Sequence, residues 1–239
     1  MEIPSLTSAQ MAQVDDLAAR HFGIELCQLM ENAGKNVAEV ARIVLGGVRG
    51  KEIAIICGKG NKAGDGLIAA RFLSNWGAKP ARVIMACHPD ELIPEVRQQY
   101  GVLKSMFVEI LHLTDSLRFE DVIKKSDLAI DALIGYNIDG DPRGRYAEFI
   151  NFANENAKKI LAIDVPTGLN PDTGEPYNPC IKADATITLG LPKKGLLEKR
   201  AKDFVGKLYL GDIGIPHEVF EKLGWSFPKV FEKQSIIRI

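Results

Sequence analysis

The chain has 239 residues, 46% of them hydrophobic and 26% charged, enough for one full-sized domain with a large core and short of two ordinary ones. Thirty basic residues against thirty-one acidic ones leave a net charge of -1, with only 7% aromatics, which excludes the basic footprint of a dedicated nucleic-acid binder. No apolar run reaches the ~18–20 residues of a membrane span, and the first five residues lack a basic segment leading into an apolar one, so the chain reads as cytoplasmic, with no membrane partner.

In chain order, Thr7 is placed to cap a first helix on which Met11, Val14, Leu17 and Ala18 recur at helical spacing. A second helix covers about 25–45, with Leu29, Ala33, Val37, Val40, Ala41 and Val44 on one side and Gly46-Gly47 at its end. From residue 52 onward short apolar runs alternate with helical stretches, the rhythm of βαβ units and a mostly parallel sheet. Strands are expected at 53–57, 81–86, 108–111, 128–132, 160–163, 185–189 and 207–210, and helices near 64–76, 94–106, 118–125 and 146–156. The fold class is therefore α/β, a three-layer α/β/α sandwich. A helical arm at about 1–50 precedes a core at about 51–216 and a C-terminal extension at about 217–239, whose stretch from Phe227 is either docked or loose.

Cys27, Cys57, Cys87 and Cys180 are scattered, with no Cys-x-x-Cys pair, and Cys57 and Cys87 sit in or beside apolar runs, where cysteine serves as a small buried hydrophobe. His21, His88, His112 and His217 form no His-x-x-x-His pair, and there is no Gly-x-Ser-x-Gly elbow. Zinc-hydrolase and serine-hydrolase chemistry are excluded on these grounds.

Ligands of open parallel sheets bind beyond the carboxyl ends of the strands, above all where strand order reverses. Three such ends are unusual here. After the first strand comes Gly58-Lys59-Gly60-Asn61-Lys62-Ala63-Gly64-Asp65-Gly66. It is neither a Walker loop nor a dinucleotide fingerprint, yet it is a glycine-rich turn feeding a helix start, suited to an anion, unless Asn61 or Asp65 merely serves the helix end. After the fourth strand, Asp131 closes an apolar run, where a carboxylate is costly unless paired, hydrogen-bonded or holding a cation. The glycine-bearing loop that follows carries Gly135, Tyr136, Asn137, Ile138, Asp139, Gly140, Asp141 and Arg143, and the arginine is suited to phosphate. After the fifth strand comes Asp164-Val165-Pro166-Thr167-Gly168. Two strand-end aspartates and a glycine turn point to convergence on one crevice.

These segments resemble the NAD(P)H-hydrate epimerase family, the YjeF N-terminal-domain fold with its Rossmann-like sheet. Gly58 to Gly66 corresponds to Gly-x-Gly-Asn-Asn-Gly-Gly-Asp-Gly, Asp131 to Gly135 to Asp-Ala-x-x-Gly, and Asp164 to Gly168 to Asp-x-Pro-Ser-Gly. Further matches are Leu29-Met30-Glu31-Asn32-Ala33-Gly34, the stretch from Thr188 to Leu196, and Gly211-Asp212-Ile213-Gly214-Ile215-Pro216, so the resemblance runs from about residue 6 to 216. It implies a single stand-alone domain over 1–239 that interconverts the R and S epimers of hydrated NADH and NADPH (NADHX and NADPHX), with a homodimer and a separate dehydratase as partners.

The resemblance further implies Asp164 as general acid/base in contact with the hydrated ring and Lys193 as a second catalytic candidate. Asn61, Lys62, Ala63, Gly64 and Asp65 would hold the substrate together with the loop from Gly135 to Asp141, and Arg143 would serve its phosphates. Family members bind potassium at the positions of Lys62, Asp131 and Thr167. Here threonine keeps the oxygen, whereas Lys62 supplies none, and its ammonium is expected to replace the ion. Ala63 stands where the family has glycine. An inactive relative that binds a nucleotide-like or ribosylated metabolite is the alternative expectation.

Overall fold

The computed structural model describes residues 3–79, 81–112 and 116–239; Met1 and Glu2, part of the amino-terminal reading above, lie outside them. The arm is α1 (Ser8–Phe22) and α2 (Leu26–Leu45). Thr7 caps α1 in a capping box with Gln10, and left-handed Gly23 and Gly46 close the two helices. No described helix is long and apolar enough to cross a membrane.

The strands β1 (Ile53–Cys57), β2 (Ala81–Met85), β3 (Ile110–Leu111), β4 (Leu128–Ala132), β5 (Ile160–Ile163), β6 (Ala185–Leu189), β7 (Lys207–Gly211) and β8 (Ile236–Arg238) form one sheet in the order β3-β2-β1-β4-β5-β6-β7-β8. All pairings are parallel except β8 on β7. The chain winds outward from β1 through β2 and β3, then returns to β4 on the other side. Strand order thus reverses between β1 and β4, where Cys57 stands opposite Ala132.

Alternation along β1 makes the three layers. Ile53, Ile55 and Cys57 enter the core shared with α2, α3 (Asn61–Asn75) and α4 (Pro94–Ser105), while Ala54 and Ile56 enter the one shared with α5 (Ser116–Lys125) and α6 (Arg145–Asn156). Cys57 and Cys87 are both buried.

Several boundaries differ from expectation. The second strand stops at Met85, and the third shrinks to two residues because Phe107 turns to φ 56° and Val108 N–H closes back on Leu103 O of α4. The seventh runs on to Gly211. Most consequential, the helix expected from residue 64 begins at Asn61, so most of the glycine segment is the first two turns of α3 rather than a loop. Its cap is Gly60, not Asn61 or Asp65. The glycines serve packing: a Cβ on Gly64 would lie 2.3 Å from Met30 Sδ, and one on Gly66 would lie 2.6 Å from Ala132 Cβ.

The extension is docked. It adds α8 (His217–Lys222), packs Phe227 edge to face with His217 and Phe220, and pairs β8 with β7. The β5-to-β6 passage, residues 164–184, contains no helix, and only short turns and α7 (Lys202–Val205) join β6 to β7.

Candidate active site at the strand-order switch

Lys62 projects from the first turn of α3 into the switch point. Its Nζ lies 2.9 Å from Asp131 Oδ2, 2.8 Å from Val165 O, 3.1 Å from Ile134 O and 3.1 Å from Thr167 Oγ1. Its side chain is 4% exposed and that of Asp131 1%. The Asp131 carboxylate also accepts from Leu133 N at 3.1 Å, Thr167 N at 2.8 Å and Thr167 Oγ1 at 2.6 Å. A strand-end carboxylate is thus tolerated because four donors surround it. Burial pulls the Lys62 pKa below its ordinary value, opposed by the charge and hydrogen bond of Asp131. Four oxygens facing one nitrogen demand donors, so the group is an ammonium.

The second charged pair is Asp164 with Lys193. Asp164 has φ 60°, and Val165 N–H bonds back to Ile163 O at 2.8 Å, a positive-φ γ-turn. This uncommon conformation for a residue with a side chain costs on the order of 1–3 kcal/mol and gathers at functional sites. The turn aims the carboxylate back over β6, where Oδ1 accepts from Lys193 Nζ, from Thr188 Oγ1 at 3.3 Å and from Leu189 N at 3.3 Å. Lys193 Nζ also reaches Leu189 O at 3.1 Å and sits 5.7 Å from the centre of the Tyr136 ring. The arm holds Lys193 in place, since Leu6 N–H bonds Pro192 O and Lys194 N–H bonds Leu6 O, both at 2.9 Å. Asp164 keeps 7% exposure.

Two more carboxyls share the field of these lysines. Burial, and then the charge of Asp164, hold Asp65 well above the usual carboxylate range. Burial likewise raises Asp15, which accepts from Tyr136 Oη at 3.0 Å. With Lys62 committed to Asp131 and Lys193 to Asp164, neither has an ion-pair partner of its own among the described residues. Asp15 was missed in the sequence, although the signal was present: it lies on the buried stripe of Met11, Val14 and Ala18. A carboxylate on such a stripe calls for a reason.

The remaining expected residues divide. Asn61 is exposed at the mouth of α3, whereas Ala63 is wholly buried in the core, so its methyl faces packing and not ligand. Gly64 is buried against Met30. Gly135 and Tyr136 are half-buried beside Lys62 and Lys193 respectively. Ile138 and Gly140 are half-buried, while Asn137, Asp139, Asp141 and Arg143 are exposed. Asp141 accepts from Asn178 N at 2.9 Å, tying this loop to the β5-to-β6 passage. A separate cavity of about 230 Å³ beneath the C-terminal extension, bordered by His217, Phe220, Phe227 and Val230, includes none of these residues.

The arrangement offers a buried ammonium and an open helix start at the strand-order switch, with a strained carboxylate and its lysine beside them beyond β5 and β6. Residues 26–195 match the family described as YjeF-related protein N-terminus. The bifunctional NAD(P)H-hydrate repair enzyme Nnr of Moorella thermoacetica is 37% identical over 218 residues, 90% of this chain and 41% of that enzyme. The chain therefore spans about two fifths of the length of that relative. The NAD(P)H-hydrate epimerase of Dehalogenimonas lykanthroporepellens is 34% identical over 226 residues, 93% of this chain and 86% of that one. The crystal structure of the yeast protein ynu0 superposes with a TM-score of 0.86 at 26% identity, covering 99% of this chain and all of that one. A match of this extent, over a range that includes Lys62, Asp131, Asp164 and Lys193, means that the chain belongs to the family of YjeF-related protein N-termini.

Proposed function

We propose that the chain is an NAD(P)H-hydrate epimerase, interconverting the R and S forms of hydrated NADH and NADPH as a step in nicotinamide-nucleotide repair. The observation that carries the reading is the buried Asp164–Lys193 pair, fixed by a strained turn at the end of β5 close to the switch point and suited to acid/base work. The relative from Dehalogenimonas lykanthroporepellens, close to this chain in extent, supports it.

The hydrate bears its hydroxyl on a ring carbon beside the ring nitrogen. Epimerisation needs that C–O bond to break and reform on the opposite face. The proton shared between Lys193 and Asp164 passes to the departing hydroxyl, which leaves as water while the nitrogen lone pair stabilises the flat cation. Water then adds from the other face and returns its proton to the pair, so atoms and charge balance over the cycle. Positioned acid/base groups of this kind contribute about 100- to 10,000-fold. The Lys62 ammonium remains bound to Asp131 throughout. In this reading the diphosphate lies against the first N–H groups of α3 beside Asn61, and the loop from Gly135 to Asp141 with Arg143 covers the dinucleotide.

The alternative of an inactive, metabolite-binding relative is less favoured. Both departures from the family pattern are absorbed, Lys62 by its oxygen partners and Ala63 by the core. A cytoplasmic homodimer working beside a separate dehydratase completes the proposal. The longer relative is named a bifunctional repair enzyme, which supports the dehydratase link. The test starts from one purified epimer and follows the other by chromatography, subtracting spontaneous conversion. Conversion only at the buffer rate would overturn the proposal, and binding of the hydrate without conversion would favour the alternative.

A further inference from the structure

The oxygen cage around Lys62 asks why a helix should drive an ammonium into the centre of the fold. Its acceptors come from three segments: the Asp131 carboxylate at the end of β4, Ile134 O in the turn that follows, and Val165 O with Thr167 Oγ1 after β5. Carboxylate, hydroxyl and two backbone carbonyls make a hard-oxygen set of the kind that takes an alkali cation. An ammonium has three protons for these four acceptors, whereas a spherical ion has no such shortfall. Nζ stands 2.8–3.1 Å from all four, so an ion equidistant from them would coincide with the nitrogen. The residues present therefore do not fit a resident potassium ion.

We propose that this cage is a monovalent-cation site permanently filled by the protein's own Lys62 ammonium, which makes fold and activity independent of potassium. The Asp131 carboxylate is buried and also held by Leu133 N, Thr167 N and Thr167 Oγ1. It thus requires a positive charge at this spot. A tethered charge meets that need without capture from solution. The turn after β4 lies over the lysine stem, the Cβ position of Gly135 falling at an ordinary contact distance of 3.8 Å from Lys62 Cβ.

The test has a stability arm that does not depend on the epimerase reading and an activity arm that does. Melting temperature is measured in potassium chloride and in tetramethylammonium chloride at equal ionic strength, and crystals are soaked in thallium(I). Wild type should melt within about 1 °C in the two salts and show no thallium peak among Asp131, Thr167 and the two carbonyls. Lys62→Asn should gain a saturable potassium response of about 3–6 °C at ten times Kd, with thallium bound in the cage. A saturable potassium response or a thallium peak in wild type would overturn the proposal, as would a folded Lys62→Asn that responds to neither ion. Should Lys62→Asn not fold, the wild-type arms decide alone. Wild-type epimerisation should run at equal rates in both salts, and a potassium requirement there would also overturn the proposal. Absence of epimerisation in every salt would refute the epimerase reading and leave the thermal result standing.

Discussion

Replacing Asp164 with asparagine separates its role in the fold from its role in the reaction. Asparagine tolerates the left-handed backbone at φ 60° better than any other uncharged residue except glycine and retains one oxygen for Lys193, Thr188 and Leu189. What it removes is the charge opposite a lysine that is 1% exposed. Breaking one side of a buried ion pair costs about 3–5 kcal/mol, and the retained oxygen puts this substitution near the lower figure. For a domain of this size that corresponds to a fall in melting temperature of about 6–12 °C. Turnover, measured from a purified epimer, should drop by about 100- to 10,000-fold, the contribution of a positioned acid/base. Adding Lys193→Met removes the orphaned ammonium, so the double variant should recover most of the lost stability and none of the lost rate. Wild-type turnover in Asp164→Asn, or recovery of rate in the double variant, would refute the assignment.

Three further outcomes follow from the packing and charge of the site. Because Asp65 is raised in the fold above its ordinary 3.8, the native state holds a proton that the unfolded chain has already lost. Stability therefore falls as pH rises from near 3.8 toward the folded value. Asp65→Asn should accordingly gain stability over wild type as pH rises above 3.8, and urea unfolding that shows no gain would contradict the shift. Gly66→Ala forces a methyl to 2.6 Å from Ala132 Cβ and 3.1 Å from Ile55 Cγ2, which should cost about 1–3 kcal/mol. Gly60→Ala, with open space around it, should cost clearly less in the same denaturation series. Phe107 holds φ 56° while 94% exposed, so Phe107→Gly relieves a strained backbone without emptying a core. It should stabilise by up to about 1 kcal/mol, and calorimetry showing a loss would mean that the ring has a packing role.

The parallel sheet and the convergence of the segments that follow β1, β4 and β5 were legible in the sequence, because segments beyond the carboxyl ends of parallel strands meet where the strands lie side by side. The trio of Lys62, Asp131 and Thr167 was named by the family resemblance. Lys193 was legible only through the family resemblance. The clamp that holds it, Leu6 against Pro192 and Lys194, joins segments nearly two hundred positions apart through backbone groups that any residue supplies. Ile134 O and Val165 O left no mark for the same reason. The glycine segment was misread as a loop because glycine has two uses, backbone freedom and close approach, and one chain does not distinguish them. In Gly64 and Gly66 the second use prevails, letting α3 lie against α2 and the sheet from its first turn. The third strand shrank because closure of α4 at Phe107 and Val108 takes the residues that its apolar pattern had assigned to the sheet.

The claim at the centre is that this crevice inverts the hydroxyl-bearing carbon of a hydrated nicotinamide ring. Its most direct test is the initial rate at which one purified epimer of NADPH hydrate gives the other, measured against protein concentration in buffer free of alkali cations. The expected result is a rate that rises in proportion to wild-type protein and collapses toward the spontaneous value with Asp164→Asn. A rate that stays at the spontaneous value at every concentration of wild-type protein, with or without potassium, would contradict it.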